Sequence, residues 1–174
     1  MHDLSLKHYG NQMGECAITI GVFDGVHLGH AFLINQLIQD AKSLNLKHGV
    51  VSFEPHPIKI INPSLEFLYI QKIEEKVQEL SKIGIDFISL LQFDKQVSEM
   101  TGFEFLKKLK EKIDFKLLLV GEDFKLGKNR EADIQVIKEV AKELNFKMQT
   151  IPLQNDAAST TLSSTNIRKS ITNG

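Results

Sequence analysis

Residues 16–46 read CAITIGVFDGVHLGHAFLINQLIQDAKSLNL and contain the clearest signal for the fold of this chain. Its first part, 16–22, is apolar and rich in β-branched residues, which predicts a buried strand. Over 28–46 the apolar residues recur at helical spacing, which predicts a helix. A strand that leads directly into a helix is the first half of a βαβ unit.

The rest of the chain continues this alternation. Further strands are predicted at 49–53, 86–92, 115–121 and 146–151. Further helices are predicted at 72–83, 102–113 and 132–144, with a last short helix over about 164–172. We therefore expect an α/β fold, a Rossmann-like parallel sheet of about five strands with helices on both faces. Ligands of such sheets bind at the carboxyl ends of the strands.

Composition limits the class of protein. The chain has 174 residues, 42% of them hydrophobic, with 21 Lys+Arg against 22 Asp+Glu and one Cys. We expect a single folded domain over 1–174 and no disulfide framework. The net charge of −1 argues against binding nucleic acid through bulk positive charge. No apolar run is long enough for a membrane span and no signal peptide is evident, so a soluble, cytoplasmic protein is expected.

The segment GVFDGVHLGH at 21–30 follows the first predicted strand. His27 and His30 are three residues apart where the helix begins, so both rings lie on one side of it. The free N–H groups of a helix N-terminus attract anions, and Gly25 and Gly29 allow close approach of the backbone. The pattern favours a phosphate site over two surface histidines. No third ligand has suitable spacing, so no metal site is predicted.

Three other strand ends carry unusual residues. SSTNIR at 163–168 is typical of a second anion site, although hydroxyl groups there also cap a helix. EPHP at 54–57 is rigid, and its plainer interpretation is a turn with two prolines. GEDFKLGKNR at 121–130 holds a basic cluster that is alternatively solvated surface charge. The connection over about 54–70 exceeds the usual length and is a candidate functional loop.

Taken together, these motifs resemble a known family. GVFDGVHLGH is similar to the GxFDGxHxGH element of bacterial FAD synthetases, the N-terminal module of bifunctional riboflavin kinase/FMN adenylyltransferases. These proteins are HxGH nucleotidyltransferases. The resemblance continues in order through VVSFEPHP, VGEDFKLGKNR and LSSTNIR, and it covers about 17–170. HxGH by itself indicates the superfamily, and the combination of all four segments is much more specific.

The resemblance implies transfer of AMP from Mg-ATP to FMN, which yields FAD and pyrophosphate. Catalysis would rest on positioning and on stabilising charge, because the FMN phosphate is already an anionic nucleophile. Magnesium would bridge phosphate oxygens. The residues that the resemblance assigns to catalysis are His27, His30 and Arg168. Those assigned to ATP are Gly21, Phe23, Asp24, Gly25, His27, Gly29, His30, Ser163, Ser164, Thr165 and Arg168. Those assigned to FMN are Phe53, Pro55, His56, Pro57, Asp123, Phe124, Leu126, Asn129 and Arg130.

The chain departs from the family pattern at four positions. The family usually has an aromatic residue where Leu126 stands and often a basic one where Thr161 stands, which implies weaker flavin stacking and one phosphate contact fewer. Gly is usual near Ala132, and Gln is frequent where Ala31 stands.

Two functional alternatives remain open from the sequence. One is another HxGH nucleotidyltransferase that acts on a small phosphorylated metabolite, and the other is a non-catalytic regulator that binds flavin or nucleotide. No riboflavin kinase domain is expected within 1–174. FMN would therefore come from a separate kinase or from a missing C-terminal one.

Overall fold

The computed structural model describes residues 3–11, 14–25, 28–68 and 71–152. Its strands are β1 (Leu6–Gly10), β2 (Cys16–Ile20), β3 (Lys47–Glu54), β4 (Phe87–Gln92), β5 (Phe115–Gly121) and β6 (Lys147–Ile151). They form one sheet in the order β1-β4-β3-β2-β5-β6. The five strands from β2 to β6 are parallel, and β1 pairs antiparallel with β4.

The helices are α1 (Leu28–Ser43), α2 (Pro57–Ile61), α3 (Ile73–Lys82), α4 (Lys95–Ser98), α5 (Gly102–Lys112) and α6 (Ile134–Glu143). Local sequence explains where they begin. Thr101 and Glu104 form a reciprocal capping box at the start of α5, and the carboxylate of Asp133 accepts two N–H groups at the start of α6. After α3 the chain turns at Gly84, whose φ is +96°.

Helices cover both faces of the sheet. On one face, Ile34 and Ile38 of α1 and Leu80 of α3 pack against the sheet residues Val50 and Ile88. On the other face α5 and α6 build the larger part of the core, which includes Phe105, Leu106, Leu109, Ile137, Val140 and Ala141. The predicted parallel sheet with helices on both faces is therefore confirmed. The helix predicted over 164–172 lies outside the described residues.

The strand β1 was not predicted. Its sequence, LKHYG, is mostly polar, and only Leu6 and Tyr9 are half-buried. It forms because β4 offers an edge, with Leu6 opposite Leu91 and Gly10 opposite Phe87. A side chain at Gly10 would meet the Asp86 carbonyl oxygen at 2.2 Å, so the close pairing at this end requires glycine.

The strand order places three loops at one edge of the sheet. β2 lies between β3 and β5, and all three are parallel, so their carboxyl ends point the same way. The loops that follow them begin at Gly21, Pro55 and Glu122. The order reverses between β2 and β5, which is where ligands bind in sheets of this type.

Candidate functional site

The turn after β2 has a strained and tightly packed backbone. The Gly21 N–H continues the ladder to the Val51 carbonyl oxygen at 3.0 Å, and the chain then leaves the sheet. Phe23 has a φ of +48°, which is unusual for a bulky residue, yet only 1% of its surface is exposed. A Cβ atom at Gly21 would lie 2.8 Å from Phe23 Cε2, so the ring occupies the space that a side chain would need.

His30 lies in the first turn of α1 and contacts this same turn. Its Nδ1 atom is 3.2 Å from the Gly25 carbonyl oxygen, and its ring centroid is 4.8 Å from that of Phe23. Because a carbonyl oxygen only accepts, Nδ1 carries the proton in this bond. For Nε2 also to donate to a phosphate oxygen, the ring must be the imidazolium cation. Gly29 is exposed beside it, whereas His27 lies outside the described residues.

Three side chains from other parts of the chain form hydrogen bonds with the backbone of this turn or with each other. The Lys76 Nζ atom donates to the Val22 carbonyl oxygen at 2.9 Å and lies 3.4 Å from Ser52 Oγ. Ser52 Oγ donates to the same carbonyl at 2.8 Å. The Gln71 side-chain oxygen accepts the Gly25 N–H at 2.9 Å. Both the Val22 carbonyl and the Gly25 amide therefore have side-chain partners that are distant in sequence.

The Lys76 side chain is buried to an unusual degree for a lysine. Only 2% of the surface of Lys76 is exposed, and only 1% of the surface of Asp24 is exposed. Burial lowers the pKa of the Lys76 ammonium, and the nearby charges of Asp24 and Glu54 oppose that shift.

The sequence analysis did not identify Lys76, although the chain holds a signal. Ile73, Val77 and Leu80 form the apolar stripe of α3, and a lysine stands within that stripe.

The end of β3 packs against aromatic side chains from other elements, and a short helix follows it. Phe53 packs edge-on against Phe93 with ring centroids 5.6 Å apart, and it also contacts Phe105 at 6.1 Å. The Glu54–Pro55 peptide bond is cis, and Pro57 is the first residue of α2. The candidate loop over 54–70 thus contains a short helix, which the sequence analysis did not predict.

His56 has a structural role in that segment. Its Nδ1 atom accepts the Ile58 N–H at 3.1 Å, which caps α2. The proton of the neutral ring is therefore on Nε2. The ring also packs against Phe67, with centroids 4.2 Å apart.

The loop after β5 has an uncommon backbone. Leu126 and Ala132 exchange two backbone hydrogen bonds of 3.0 Å each, which closes the loop at its base. Within it, Asn129 and Arg130 have φ values of +56° and +58°. Consecutive non-glycine residues in this conformation cost about 1–2 kcal/mol each, and such strain is concentrated at functional sites. Asp123 and Arg130 are exposed.

The basic cluster of this loop is only partly available to a ligand. Lys128 forms an ion pair with Glu99, and its backbone N–H donates to the Met100 carbonyl oxygen at 2.8 Å. Arg130 is exposed on the same 3₁₀ turn, Lys128–Arg130.

The predicted site residues divide between the two faces of the sheet. Phe23 belongs to the core on the α1 and α3 face, and His30 contacts it. Phe53, Phe124 and Leu126 pack against the core on the α5 and α6 face. The two groups meet at the carboxyl edge of β2, β3 and β5. The predicted phosphate residues Ser163, Ser164, Thr165 and Arg168, together with Thr161, lie outside the described residues.

Within the described ranges, no cluster of three or more His, Cys, Asp or Glu side chains is arranged to bind a metal ion. No helix in that part of the chain has the length and apolar character needed to cross a membrane.

Comparisons with known proteins agree with the motifs. Residues 10–166 match the family model described as FAD synthetase. The bifunctional riboflavin kinase/FMN adenylyltransferase of Buchnera aphidicola subsp. Schizaphis graminum is 33% identical over 154 residues, which are 88% of this chain and 49% of that protein. The protein of the same name from Escherichia coli K12 is 33% identical over 132 residues, or 75% of this chain and 42% of that protein. The chain spans about half the length of the curated relatives it matches.

A solved structure shows the same fold. The crystal structure of a macrolide-efflux protein from Streptococcus pneumoniae aligns with a TM-score of 0.81 and 24% identity. The alignment covers 92% of this chain and 53% of that one. At this identity the likeness concerns the fold alone.

Proposed function

The chain belongs to the FAD synthetase family, and on that premise we propose that it transfers AMP from Mg-ATP to FMN. The products are FAD and pyrophosphate. A phosphate oxygen of FMN attacks the α-phosphorus of ATP, and the bond from that phosphorus to the bridging oxygen of the pyrophosphate breaks. The nucleophile is already an anion, so the protein has to align two anionic substrates and stabilise the departing charge.

The observation that carries this proposal is the packing of His30 against the turn after β2. The Gly25 carbonyl oxygen and the Phe23 ring fix the orientation of the imidazole at the N-terminus of α1. As an imidazolium, the ring has one N–H on Gly25 and a second to donate toward phosphate oxygens. The partial positive charge of the helix N-terminus favours the same anions.

We assign the ATP phosphates to the edge where β2 ends. Gly21, Phe23, Asp24, Gly25 and Gly29 would shape the nucleotide bed together with His30. His27, Ser163, Ser164, Thr165 and Arg168 would complete it. Magnesium enters as part of the Mg-ATP substrate, because Mg²⁺ typically keeps phosphate and water oxygens as ligands.

We assign the flavin to the opposite side of the same edge. Phe53 and Phe124 offer aromatic surface there, and Arg130 offers a cation for the FMN phosphate. The other residues proposed for FMN are Pro55, His56, Pro57, Asp123, Leu126 and Asn129. Leu126 offers no ring, so stacking would depend on the phenylalanines. FMN would be supplied by a riboflavin kinase, the activity named in the full-length relatives.

The test is chromatography of the chain with FMN, ATP and magnesium, with riboflavin in place of FMN in a parallel tube. We expect FAD and pyrophosphate from FMN alone. His30→Ala should lower turnover by on the order of 100-fold, the scale for loss of a transition-state donor. His8→Ala is the matched control, because His8 is exposed on β1 and bonds to Ser89 Oγ at 2.7 Å, away from the carboxyl edge of β2.

Other outcomes would overturn the proposal. Turnover only with CTP, or only with another small phosphorylated acceptor, would indicate a different nucleotidyltransferase. Binding of FMN and ATP without release of pyrophosphate would indicate a regulator. Equal activity of His30→Ala and His8→Ala would remove the role assigned to His30.

A further inference from the structure

We propose that Lys76 is a positioning residue that holds the turn 21–25 in its working shape through the Val22 carbonyl and neutralises the carboxylates behind it. This inference rests on the proposed function, since it concerns the same site. Lys76 belongs to α3, the helix that comes before β4 in the chain. It is not assigned to either substrate.

The position of Lys76 is one that an apolar residue would normally fill. It lies between Ile73, Val77 and Leu80 on the buried stripe of α3, and 2% of it is exposed. Burying an ammonium group is costly unless it is paired. A methionine or leucine there would fill the same space without that cost, so packing alone does not account for a lysine.

The ammonium group is used where the turn needs an anchor. Its Nζ atom donates to the Val22 carbonyl oxygen at 2.9 Å, one residue before Phe23, which has a positive φ. Ser52 Oγ donates to the same oxygen. At Gly25, three residues after Val22, the backbone N–H donates to the side-chain oxygen of Gln71. The turn that orients His30 is thus held on both sides of Phe23, and Lys76 brings a charged donor to it, whereas Ser52 and Gln71 are neutral.

The charge of Lys76 also matters for substrates that are anions. Asp24, only 1% exposed, and Glu54 are the acidic groups that attract it. Both stand at the carboxyl edge, Asp24 after β2 and Glu54 at the end of β3. Without the ammonium group, a positive charge that attracts both carboxylates would be lost beside the edge where we place ATP and FMN. Lys76 therefore links the nucleotide side of the site to the flavin side.

The experiment compares Lys76→Met, which keeps an unbranched side chain of similar length and removes the charge, with Lys76→Arg, which keeps the charge. ATP affinity is measured by titration calorimetry, and kcat and KM by FAD formation, at a temperature where circular dichroism shows each variant folded. Loss of a hydrogen bond from a charged donor corresponds to roughly 10- to 100-fold. We expect kcat/KM for ATP to fall by about that factor in Lys76→Met and to recover in part in Lys76→Arg.

A second lysine provides the matched control. Lys110 of α5 is half-buried and donates to the Phe115 carbonyl oxygen at 2.8 Å, at the amino end of β5. Burial lowers its pKa as well. Lys110→Met should lower thermal stability and leave kcat/KM within about twofold. A similar loss of kcat/KM in both methionine variants would overturn the proposal, and so would an unchanged kcat/KM in folded Lys76→Met.

Should Lys76→Met fail to fold, the pair Lys76→Met/Asp24→Asn carries the test, because removing both members of a buried pair is better tolerated than removing one. Compared with Asp24→Asn alone, the double variant should still have a lower kcat, since the Val22 carbonyl has lost its anchor. Equal kcat values would overturn the proposal.

The wild-type protein separates this inference from the proposed function. If wild-type protein binds ATP and forms no FAD, the proposed function is wrong and ATP affinity in the Lys76 variants decides the inference. If wild-type protein binds no ATP, both are wrong.

Discussion

The substitution Gly21→Ala tests how closely the turn after β2 is packed. The backbone of Gly21 is not in the left-handed region, so alanine is compatible with its conformation. The added Cβ would lie 2.8 Å from Phe23 Cε2 and 3.0 Å from Cζ, whereas ordinary contacts begin near 3.4 Å. The Phe23 ring would have to move by about 0.6 Å or more. It is buried, and its displacement is transmitted to His30, whose centroid is 4.8 Å away.

The size of the effect follows from this clash. Overpacking a filled core costs roughly 1–3 kcal/mol. In a domain of this size each kcal/mol lowers Tm by about 2–4 °C, so a Tm loss of roughly 2–12 °C is expected. Displacing a catalytic group by about 1 Å lowers rates by on the order of 100-fold. We therefore expect Gly21→Ala to lose on the order of 100-fold in kcat for FAD formation, measured by chromatography well below its Tm.

Gly49→Ala is the control for simple destabilisation. A Cβ atom at Gly49 would lie 2.3 Å from the Phe87 ring. Gly49 is part of β3 but lies near the amino end of that strand, away from the candidate site. This variant should lose at least as much Tm as Gly21→Ala and keep its kcat within about twofold in the folded fraction. Equal losses of kcat in the two variants, or normal kcat in Gly21→Ala, would refute the argument that the ring of Phe23 fixes His30.

Three further predictions concern stability and the loop after β5. Burial raises the pKa of the Cys16 thiol from 9.0 to about 12, so the stability that the neutral thiol contributes is complete below pH 9 and is lost as the pH rises toward 12. At pH 10 that loss is roughly 1.4 kcal/mol, and urea titrations should find it in the wild-type protein and not in Cys16→Ala. Thr101→Ala removes the cap from the Glu104 N–H and should lower the free energy of unfolding by about 1 kcal/mol with unchanged kcat; a lower kcat would show that α5 is coupled to the site. Arg130→Gly relieves a φ of +58°, so it should not lower Tm, while the KM for FMN rises; a lower Tm would contradict the strain argument.

Much of the fold could be predicted because its signals are local. The strands β2 to β5 contain short apolar runs, and the four long helices have apolar residues at helical spacing. Their alternation is sufficient for a parallel sheet with right-handed crossovers. The strand β1 could not be predicted because its polar sequence forms a strand only by pairing with the edge of β4. The short helices α2 and α4 could not be predicted because five and four residues are too few to show a helical period of apolar residues.

The candidate site divides in the same way. The turn with His30 was predicted from adjacent residues, and the structure places it at the expected strand end. Lys76 and Gln71 were missed because they are 54 and 46 residues away from their backbone partners. His56 was predicted as a flavin contact, and only the folded segment reveals that its Nδ1 atom caps α2. The roles assigned to His27 and to 163–168 remain predictions.

The class of the fold, the family, and the strand end that carries His30 could all be inferred from the amino-acid sequence alone. Each of these depends on neighbours along the chain, on periodicity or on short motifs. The folded chain was needed to show which face of the sheet each group occupies and which side chains hold the turn after β2. Those facts depend on strand order, because β2 lies between β3 and β5 and α3 packs behind the turn. The lysine in the apolar stripe of α3 is explained only by the fold, which brings the Val22 carbonyl oxygen within hydrogen-bond distance of its ammonium group.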